Sequence, residues 1–273
     1  MTEMMRNGKP RVVVTGMGAM TPLGESVPEF WDGLVAGKSG VGPMRQADST
    51  GYPCQISGEV SDFDPERYID KREARRMARF SQLAVAATQE AFRDAGITEG
   101  AVNGERMGVA LGNGNGGFPT IEENMRILVD RGGMRMSPFF FPMILPNMAS
   151  ANLSRMFGAF GPSTTIVTAC AASTQSIGEA AEIIKRGSAD IMITGGTEAG
   201  ISQMGLSGFA VMRALTTQND EPMRASKPFD ADRDGFVPAE GAGILIIESL
   251  EHALRRGANI LAEIQGYGTS SDG

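Results

Sequence analysis

The residue best suited to chemistry in this chain is Cys170, within the stretch TTIVTACAAS at residues 164–173. Residues 164–168 predict a buried strand, small residues form a turn around the cysteine, and residues 171–185 predict a helix. A thiol at a helix N-terminus lies near unpaired N–H groups and the positive end of the helix dipole, which favour the thiolate. Because thiolates attack thioesters, the stretch indicates nucleophilic acyl transfer. The alternative is an inert buried thiol.

Two glycine-rich segments resemble phosphate-binding loops but lack residues that such loops need. Residues 16–18 (GMG) follow a strand predicted over residues 11–15, yet a third glycine is missing and Pro22 interrupts the helix that would bind a pyrophosphate. We therefore predict glycines of a tight turn there. Residues 112–117 contain no lysine followed by Ser or Thr, which excludes a P-loop. That segment is either a structural turn or the wall of a pocket.

The candidate metal ligands do not form a complete set. Asp230, Asp232 and Asp234 match the first half of a calcium-binding loop, but Gly241 stands where the bidentate glutamate is needed. The interpretation is an acidic structural turn. His252 is the only histidine, and its polar helix predicts a solvent-exposed position. Too few Cys and His residues accompany it to form a zinc site, so no metal is predicted.

Composition restricts the class of protein. The 273 residues are long enough for a substantial core, and a net charge of −7 with interspersed signs argues against nucleic acid as a partner. We find no apolar run long enough to cross a membrane and no secretory signal. Cys54 and Cys170 are the only cysteines, and we expect two free thiols in a reducing cytoplasm.

Helical and strand patterns alternate along the chain and predict an α/β fold. The strands are near-continuous Val/Ile runs, which favours a mainly parallel sheet covered on both faces. A long amphipathic helix is predicted over residues 71–94, an irregular stretch over 137–146 and a last strand over 260–266. The segment KREARR at residues 71–76 is either a solvated helix face or a docking patch for an acidic partner.

Together these segments resemble the β-ketoacyl-acyl-carrier-protein synthases of the thiolase superfamily, closest to the elongating type II enzymes. The resemblance covers about the first two thirds of a family member. It implies a thiolase-like α/β/α half with a mixed five-stranded sheet over residues 1–257, and the first strand of a second half within residues 258–273. The segments that carry it are RVVVTGMGAMTPLG, SPFFFPMILPNMAS, GPSTTIVTACAAS, DIMITGGTEAG, SKPFDADRDGFVPAEGAG and AEIQGYGTSSDG.

The resemblance also implies an activity. Cys170 matches the family cysteine that takes an acyl group from acyl carrier protein and condenses it with malonyl-acyl carrier protein. The product is a 3-oxoacyl chain of fatty-acid biosynthesis, and no metal or cofactor is required. The two histidines and the lysine that promote decarboxylation belong to the absent C-terminal third. We therefore expect this chain alone to be inactive as an enzyme, although it keeps the cysteine of the acylation half-reaction.

Further site residues are implied position by position. Phe140 and Phe209 match residues that line the acyl pocket, and Asn115 stands at the pocket floor, where elongating enzymes carry an apolar residue. The polar Asn115 leaves the acyl chain length open and raises a polyketide substrate as an alternative. Arginines that match the carrier-protein docking patch are Arg72, Arg75, Arg76 and Arg213. Residues 164–168 match the strand that pairs across the two-fold axis of the family homodimer.

Three other interpretations stay open at this point. The chain resembles, in part, a non-catalytic partner subunit of the chain-length-factor type, although such partners usually lack the cysteine found at Cys170. A degradative thiolase acting on coenzyme A thioesters is the second, against which the segments SKPFDADRDGFV and SPFFFP argue. The third is a gene remnant that folds poorly and has no activity.

Overall fold

The computed structural model describes residues 4–98 and 100–272, and its centre is a six-stranded β-sheet. The strands are β1 (Met5–Arg6), β2 (Lys9–Pro10), β3 (Val12–Met20), β4 (Val41–Pro43), β5 (Ile56–Gly58), β6 (Met107–Gly112), β7 (Ser163–Ile166), β8 (Ile191–Glu198), β9 (Gly241–Ser249) and β10 (Ala262–Ile264). The α-helices are α1 (Val27–Val35), α2 (Lys71–Ala74), α3 (Arg79–Asp94), α4 (Phe118–Arg131), α5 (Phe140–Ile144), α6 (Met148–Phe157), α7 (Ala172–Lys185), α8 (Gln203–Val211) and α9 (Leu250–Arg255). Over the two described ranges, no helix has the length and apolar character needed to cross a membrane.

The central sheet is mixed and has the strand order β10-β3-β9-β8-β6-β7. Strand β6 is parallel to both of its neighbours, whereas β8, β9, β3 and β10 pair antiparallel in turn. The predicted mainly parallel sheet is therefore wrong, because the connection through α8 and residues 212–240 brings the chain back antiparallel to β8. The mixed five-stranded sheet implied by the resemblance is present from β3 to β7, and β10 extends it beside β3.

Helices cover both faces of this sheet. On one face α3 and α6 bury Phe80, Leu83 and Leu153 in the largest apolar cluster of the described chain. On the other face α7 buries Ile183 and Ile184 against the sheet. Each such side chain contributes roughly 1.5–3 kcal/mol when fully buried. Helix α7 is thereby anchored along its apolar side, which fixes the residues at its N-terminus.

The glycines predicted in a tight turn lie instead inside β3. A Cβ atom on Gly18 would lie 1.9 Å from the carbonyl oxygen of Ala87, and one on Gly16 would lie 2.3 Å from that of Ala91. Both carbonyls belong to α3. The glycines therefore let α3 approach β3 more closely than any side chain permits, and they interrupt the run of apolar residues inside the strand.

The predicted long amphipathic helix is two helices, α2 and α3. Residues 75–78 separate them, and Ala78 has an extended backbone, with φ −71° and ψ 158°. The side-chain amide of Gln82 donates to the carbonyl oxygens of Ala74 and Met77, at 2.9 and 3.2 Å. The Ala74 carbonyl oxygen also accepts the backbone N–H of Met77 at 3.1 Å, so Gln82 adds a second bond there and supplies a donor to Met77.

Two further elements differ from the prediction. The stretch predicted to be irregular contains α5, and the last strand is limited to the three residues of β10. Strand pairing ends there because Tyr267 turns onto α7, where its ring occupies the space beside Gly178 and its hydroxyl donates to Glu179 at 3.0 Å.

Candidate active site

Cys170 lies where the edge strand β7 leads into helix α7. The strand pairs in parallel with β6, and one short 3-10 turn, Ala169–Ala171, precedes the first residue of the helix. Ala169 has a φ of 49°, a left-handed conformation that is unfavourable for any residue with a Cβ atom. Strain of this kind is typical of functional turns, and here it accompanies an exposed Cys170 thiol.

The N-terminus of α7 is held against the sheet through glycines. A Cβ atom on Gly112 would lie 2.4 Å from the backbone nitrogen of Ser173, and one on Gly196 would lie 1.9 Å from the Ser173 hydroxyl oxygen. The hydroxyl of Ser176 donates to the carbonyl oxygen of Gly195 at 2.5 Å. Strands β6 and β8 thus set the position of the turn that carries the thiol.

A cavity of about 700 Å³ includes Cys170 in its wall. It lies among the ends of β6 and β8, the starts of α7 and β9, and helices α1 and α8. A volume of this size is typical of sites that enclose a small-molecule ligand. Apolar side chains on the wall are Met20, Phe30, Ile201, Leu206, Phe209, Leu215 and Phe236. The arrangement can hold an acyl chain beside a nucleophilic sulfur.

The three residues predicted to line the acyl pocket occupy different places. Asn115 and Phe209 lie on the wall of the cavity that contains Cys170, and the Phe209 ring packs edge-on against Phe236 with centroids 5.0 Å apart. Phe140 is the first residue of α5 and is not among the residues that line this cavity. Its ring packs against that of Phe141, with the two ring centroids 5.3 Å apart. Residues 112–115 of the glycine-rich turn line the cavity, whereas Gly116 and Gly117 pack against residues 143–146. The roles of the Phe140, Phe209 and Asn115 side chains stay predictions.

Glu198, at the end of β8, is a cavity residue that the sequence analysis did not identify. One carboxylate oxygen accepts the backbone N–H groups of Gly114 and Asn115, both at 3.0 Å, and the other accepts that of Ala199 at 3.2 Å. Burial raises the pKa of Glu198, and the three backbone donors act in the opposite direction. A single acidic residue among the glycines of GGTEAG was the only available signal.

Three of the four arginines predicted for docking share one groove. Arg72, Arg75 and Arg76 line a shallow groove of about 430 Å³ with Lys71 and Phe139, and Asp70 borders it. The Arg76 guanidinium lies over the ring of Phe139, 4.9 Å from its centroid. The groove is basic with an aromatic floor. Arg213 is exposed at the end of α8 and does not line the groove.

The strand predicted to mediate a homodimer is the last strand of the sheet. Strand β7 pairs only with β6 among the described residues, so its other edge is free. Ser163 and Thr164 are exposed there, and Val167 beyond the strand is also exposed. A free edge with short β-branched residues can pair with another strand. Pairing across two copies stays a prediction.

The predicted surface position of His252 is wrong. Its side chain is only 12% exposed, and Nδ1 lies 2.5 Å from the fully buried carboxylate of Glu248, which Thr15 and Arg256 also contact. Burial raises the pKa of Glu248, but hydrogen bonds from Arg256, His252 and Thr15 outweigh this effect and hold it at about 2. The cluster ties α9 to the sheet and lies outside the cavity wall.

The second cysteine has a different environment from Cys170. Cys54 is buried in a small apolar cluster with Ile56 and Leu215, and its sulfur contacts the carbonyl oxygen of Ile56 at 3.5 Å. Burial raises the pKa of this thiol, which disfavours the nucleophilic thiolate. Both cysteines are free, as predicted, and only Cys170 is exposed.

The acidic turn near residue 230 uses its carboxylates within the protein. Asp234 accepts the hydroxyl of Thr216 at 2.5 Å and the backbone N–H of Thr217 at 2.8 Å, and these hydrogen bonds lower its pKa to about 2. Asp230 accepts the backbone N–H of Asp232 at 2.8 Å. Throughout residues 4–98 and 100–272, no group of three or more potential ligands is arranged to hold a metal ion.

Comparison with known proteins places this site in a family. The family described as "Beta-ketoacyl synthase, N-terminal domain" matches residues 9–253. The 3-oxoacyl-[acyl-carrier-protein] synthase 2 of Synechocystis sp. (strain ATCC 27184 / PCC 6803 / Kazusa) is 47% identical over 264 residues, which are 97% of this chain and 64% of that protein. The chain therefore spans about two thirds of the length of this curated relative.

Two solved structures have the same fold. The ishigamide ketosynthase/chain length factor aligns with a TM-score of 0.88 and 36% identity, over 97% of this chain and 64% of that chain. The second is the complex AntDE:AntF, a type II PKS acyl-carrier protein with its ketosynthase bound to the hexaketide. It aligns with a TM-score of 0.76 and 29% identity, over 94% of this chain and 67% of that chain. The predicted thiolase-like α/β fold is confirmed, and the chain belongs to the β-ketoacyl synthase family.

Proposed function

We propose that this chain carries the acyl-transfer half-reaction of a 3-oxoacyl-acyl-carrier-protein synthase, with Cys170 as the nucleophile. The observation that carries the proposal is an exposed cysteine at the start of α7, on the wall of a mostly apolar cavity. The Cys170 sulfur attacks the thioester carbonyl, and a new S–C bond forms. The bond to the carrier sulfur breaks, and the carrier leaves as a thiol with a proton.

The second half-reaction would join malonyl-acyl carrier protein, with loss of carbon dioxide, to the acyl group on Cys170. In the family that the chain resembles, two histidines and a lysine promote the loss of carbon dioxide. These residues lie in the part of the relatives that this chain does not span. The only histidine of the 273 residues is His252 on α9, which contacts Glu248 on β9 and does not line the cavity. We therefore expect acylation, without condensation, from these residues alone.

The remaining part of such an enzyme would cover apolar surface beside the cavity. Helix α8 and the loop before Phe236 contribute to the cavity wall, and both also present side chains to solvent. The strongly exposed ones, each at least 71% exposed, are Val211, Met212, Met223 and Phe229. Large exposed apolar side chains on these two segments are ones that a covering polypeptide segment would bury.

The basic groove supports acyl carrier protein as the thioester donor. Lys71, Arg72, Arg75 and Arg76 place four cations around one depression, although the whole chain has a net charge of −7. Such a local concentration of positive charge guides an acidic partner and fixes its register. Arg213 would act as a separate contact beyond this groove. A solved relative is itself a ketosynthase in complex with an acyl-carrier protein.

The free edge of β7 supports a homodimer in which two copies pair their sheets. The edge lies a few residues before Cys170, so pairing would also restrain the nucleophile turn. A chain-length-factor-like subunit is the second candidate function, because one solved relative is a ketosynthase/chain length factor. The presence of Cys170 favours the catalytic role. Fatty-acid and polyketide pathways both stay compatible with the cavity.

The direct test follows the release of free carrier protein. The 273-residue chain is mixed with an acyl-carrier-protein thioester, and released carrier is quantified by chromatography. We expect a burst of one equivalent that is absent from Cys170→Ala, and carbon dioxide from malonyl-carrier protein only after a polypeptide corresponding to the remaining third is added. Carrier release that is unchanged in Cys170→Ala would contradict the proposal.

A further inference from the structure

The polar side chains on the cavity wall mostly form hydrogen bonds within the protein. The Asn113 amide donates to the carbonyl oxygen of Thr197 at 2.6 Å and accepts the backbone N–H of Gly116 at 2.7 Å. The hydroxyl of Thr197 donates to the carbonyl oxygen of Phe80 at 2.7 Å. These groups are unavailable to a ligand because their hydrogen-bonding capacity is already used.

Asn115 differs from these residues. Its backbone N–H donates to Glu198, but across the described chain no hydrogen bond engages its side-chain amide. That amide is half-buried on the wall of the cavity. An unpaired amide in a largely apolar cavity costs roughly 1–3 kcal/mol once water is displaced from it. A ligand that supplies a hydrogen-bonding atom avoids this cost, and a wholly apolar ligand does not.

Glu198 determines where this amide lies. One carboxylate oxygen accepts the N–H groups of both Gly114 and Asn115 at 3.0 Å, so the two peptide units are fixed to the end of β8. The carboxylate also fills the space beside Gly114, where a Cβ atom would lie 3.0 Å from it. Gly200 lies under the amide, since a Cβ atom there would come within 3.1 Å of Asn115 Nδ2. The backbone that carries the amide is therefore fixed, and the amide itself packs against Gly200.

We propose that Glu198 is a positioning residue that fixes the unpaired amide of Asn115 toward the cavity, and that this amide selects acyl chains carrying an oxo or hydroxyl oxygen over saturated chains of equal length. The inference rests on the proposed function, because it assigns a substrate class to the same cavity. The Nδ2 atom donates to the chain oxygen. One such bond to a neutral group is worth about tenfold in relative rate.

The experiment measures alkylation of Cys170 by chloroacetamides with N-linked tails of one length. One tail is a saturated alkyl chain, and the others carry a single ketone at successive carbons. The Cys170 sulfur bonds to the probe methylene, the C–Cl bond breaks, chloride leaves, and the thiol proton passes to solvent. Rates are divided by those with N-acetylcysteine, which removes differences in intrinsic reactivity, and intact mass with Cys170→Ala confirms the site.

We expect at least one ketone probe to label Cys170 about tenfold faster than the saturated probe. Asn115→Ala and Glu198→Gln should reduce this preference, measured as the ratio of the ketone-probe rate to the saturated-probe rate in the same variant, to below about twofold, and Glu198→Asp should restore part of it. Gly200→Ala, which displaces the amide without altering the carboxylate, should also reduce the preference. A merely structural role for Glu198 would slow all probes alike.

Two results would overturn the inference in distinguishable ways. Labelling of Cys170 without any ketone preference in the unaltered chain would contradict the inference and leave the proposed function intact. A full tenfold preference retained by both Glu198→Gln and Gly200→Ala would show that the amide is not positioned as proposed. Failure of every probe to label Cys170 would contradict the proposed function itself, and the inference with it.

Discussion

The guanidinium of Arg79 pairs with the buried carboxylate of Glu240 beside the cavity. Nε of Arg79 lies 2.7 Å from Oε2 and Nη2 lies 2.8 Å from Oε1. Oε1 also accepts the backbone N–H of Val60 at 2.8 Å and the amide of Gln46 at 2.5 Å. Glu240 is on the cavity wall, directly before β9. The pair therefore links the first turn of α3 to the wall of the cavity that contains Cys170.

Replacing Arg79 by Ala should lower the free energy of unfolding by about 3 kcal/mol, because Glu240 would become an unpaired buried charge. Urea denaturation followed by circular dichroism measures this change. A matched control is Arg224→Ala, which breaks the Arg224–Glu221 pair whose side chains are 76% and 70% exposed. The control should change stability by less than about 1 kcal/mol, and equal effects of the two variants would contradict the assignment.

A methyl group on Gly112 should disturb the nucleophile turn. Gly112→Ala would place a Cβ atom 2.3 Å from the Ala172 carbonyl carbon, so the N-terminus of α7 must shift. We expect alkylation of Cys170 by iodoacetamide to slow at least about tenfold, because the preorganised turn is lost. Gly208→Ala is the control, since a Cβ atom there meets nothing within 4 Å. Equal alkylation rates in both variants would argue against this role of Gly112.

The Glu248 cluster should make stability depend on acid pH. Its pKa of about 2 in the folded chain is below the ordinary value of 4.5, so the carboxylate stabilises the fold above pH 4.5 and this contribution is lost as the pH falls toward 2. Glu248→Gln leaves Arg256 and His252 without their partner and should cost about 3 kcal/mol at neutral pH. Urea midpoints of the unaltered chain and of Glu248→Gln, measured across pH, should converge below pH 4.5. A difference that is constant with pH would contradict the claim that the Glu248 carboxylate stabilises the fold in its charged form.

The basic groove should matter only for a donor that is a protein. Arg72→Glu with Arg75→Glu should slow acylation from an acyl-carrier-protein thioester about tenfold or more, while acylation from a small N-acetylcysteamine thioester is unchanged. Rising salt should reduce the difference, since exposed charges are screened. Arg213→Glu, measured in the same way, tests the arginine outside the groove. Equal slowing with both donors would indicate misfolding instead of lost docking.

The sequence patterns predicted the nucleophile segment of this chain more successfully than they predicted its tertiary contacts. The strand, turn and helix around Cys170 follow from local propensity and are all present, but the predicted burial of the strand is wrong. Strand β7 is the last strand of the sheet among the described residues, so its residues are exposed or only half-buried. The strand direction of β9 was not predictable, because antiparallel return through a long connection leaves no local pattern. His252 was misplaced for a related reason. Its partner Glu248 ends a strand, and nothing in the sequence shows that the helix packs over that carboxylate.

The cavity wall shows the same limit. Phe209 and Asn115 could be matched by family resemblance, and both lie on the wall with Cys170. Glu198 and Glu240 could not be selected, because their partners are 84 and 161 residues away in the chain. Only the folded chain shows which of its acidic residues are buried with donors around them.

The most direct test of the account is intact-mass spectrometry of the chain after exposure to an acyl-carrier-protein thioester, with peptide mapping of any adduct. Cys170→Ala removes the proposed nucleophile, and Cys54→Ala is the matched control at the buried cysteine. We expect one acyl adduct on Cys170, retained in Cys54→Ala and absent from Cys170→Ala. A chain shown by circular dichroism to be folded, yet bearing no adduct or an adduct elsewhere, would contradict the central claim.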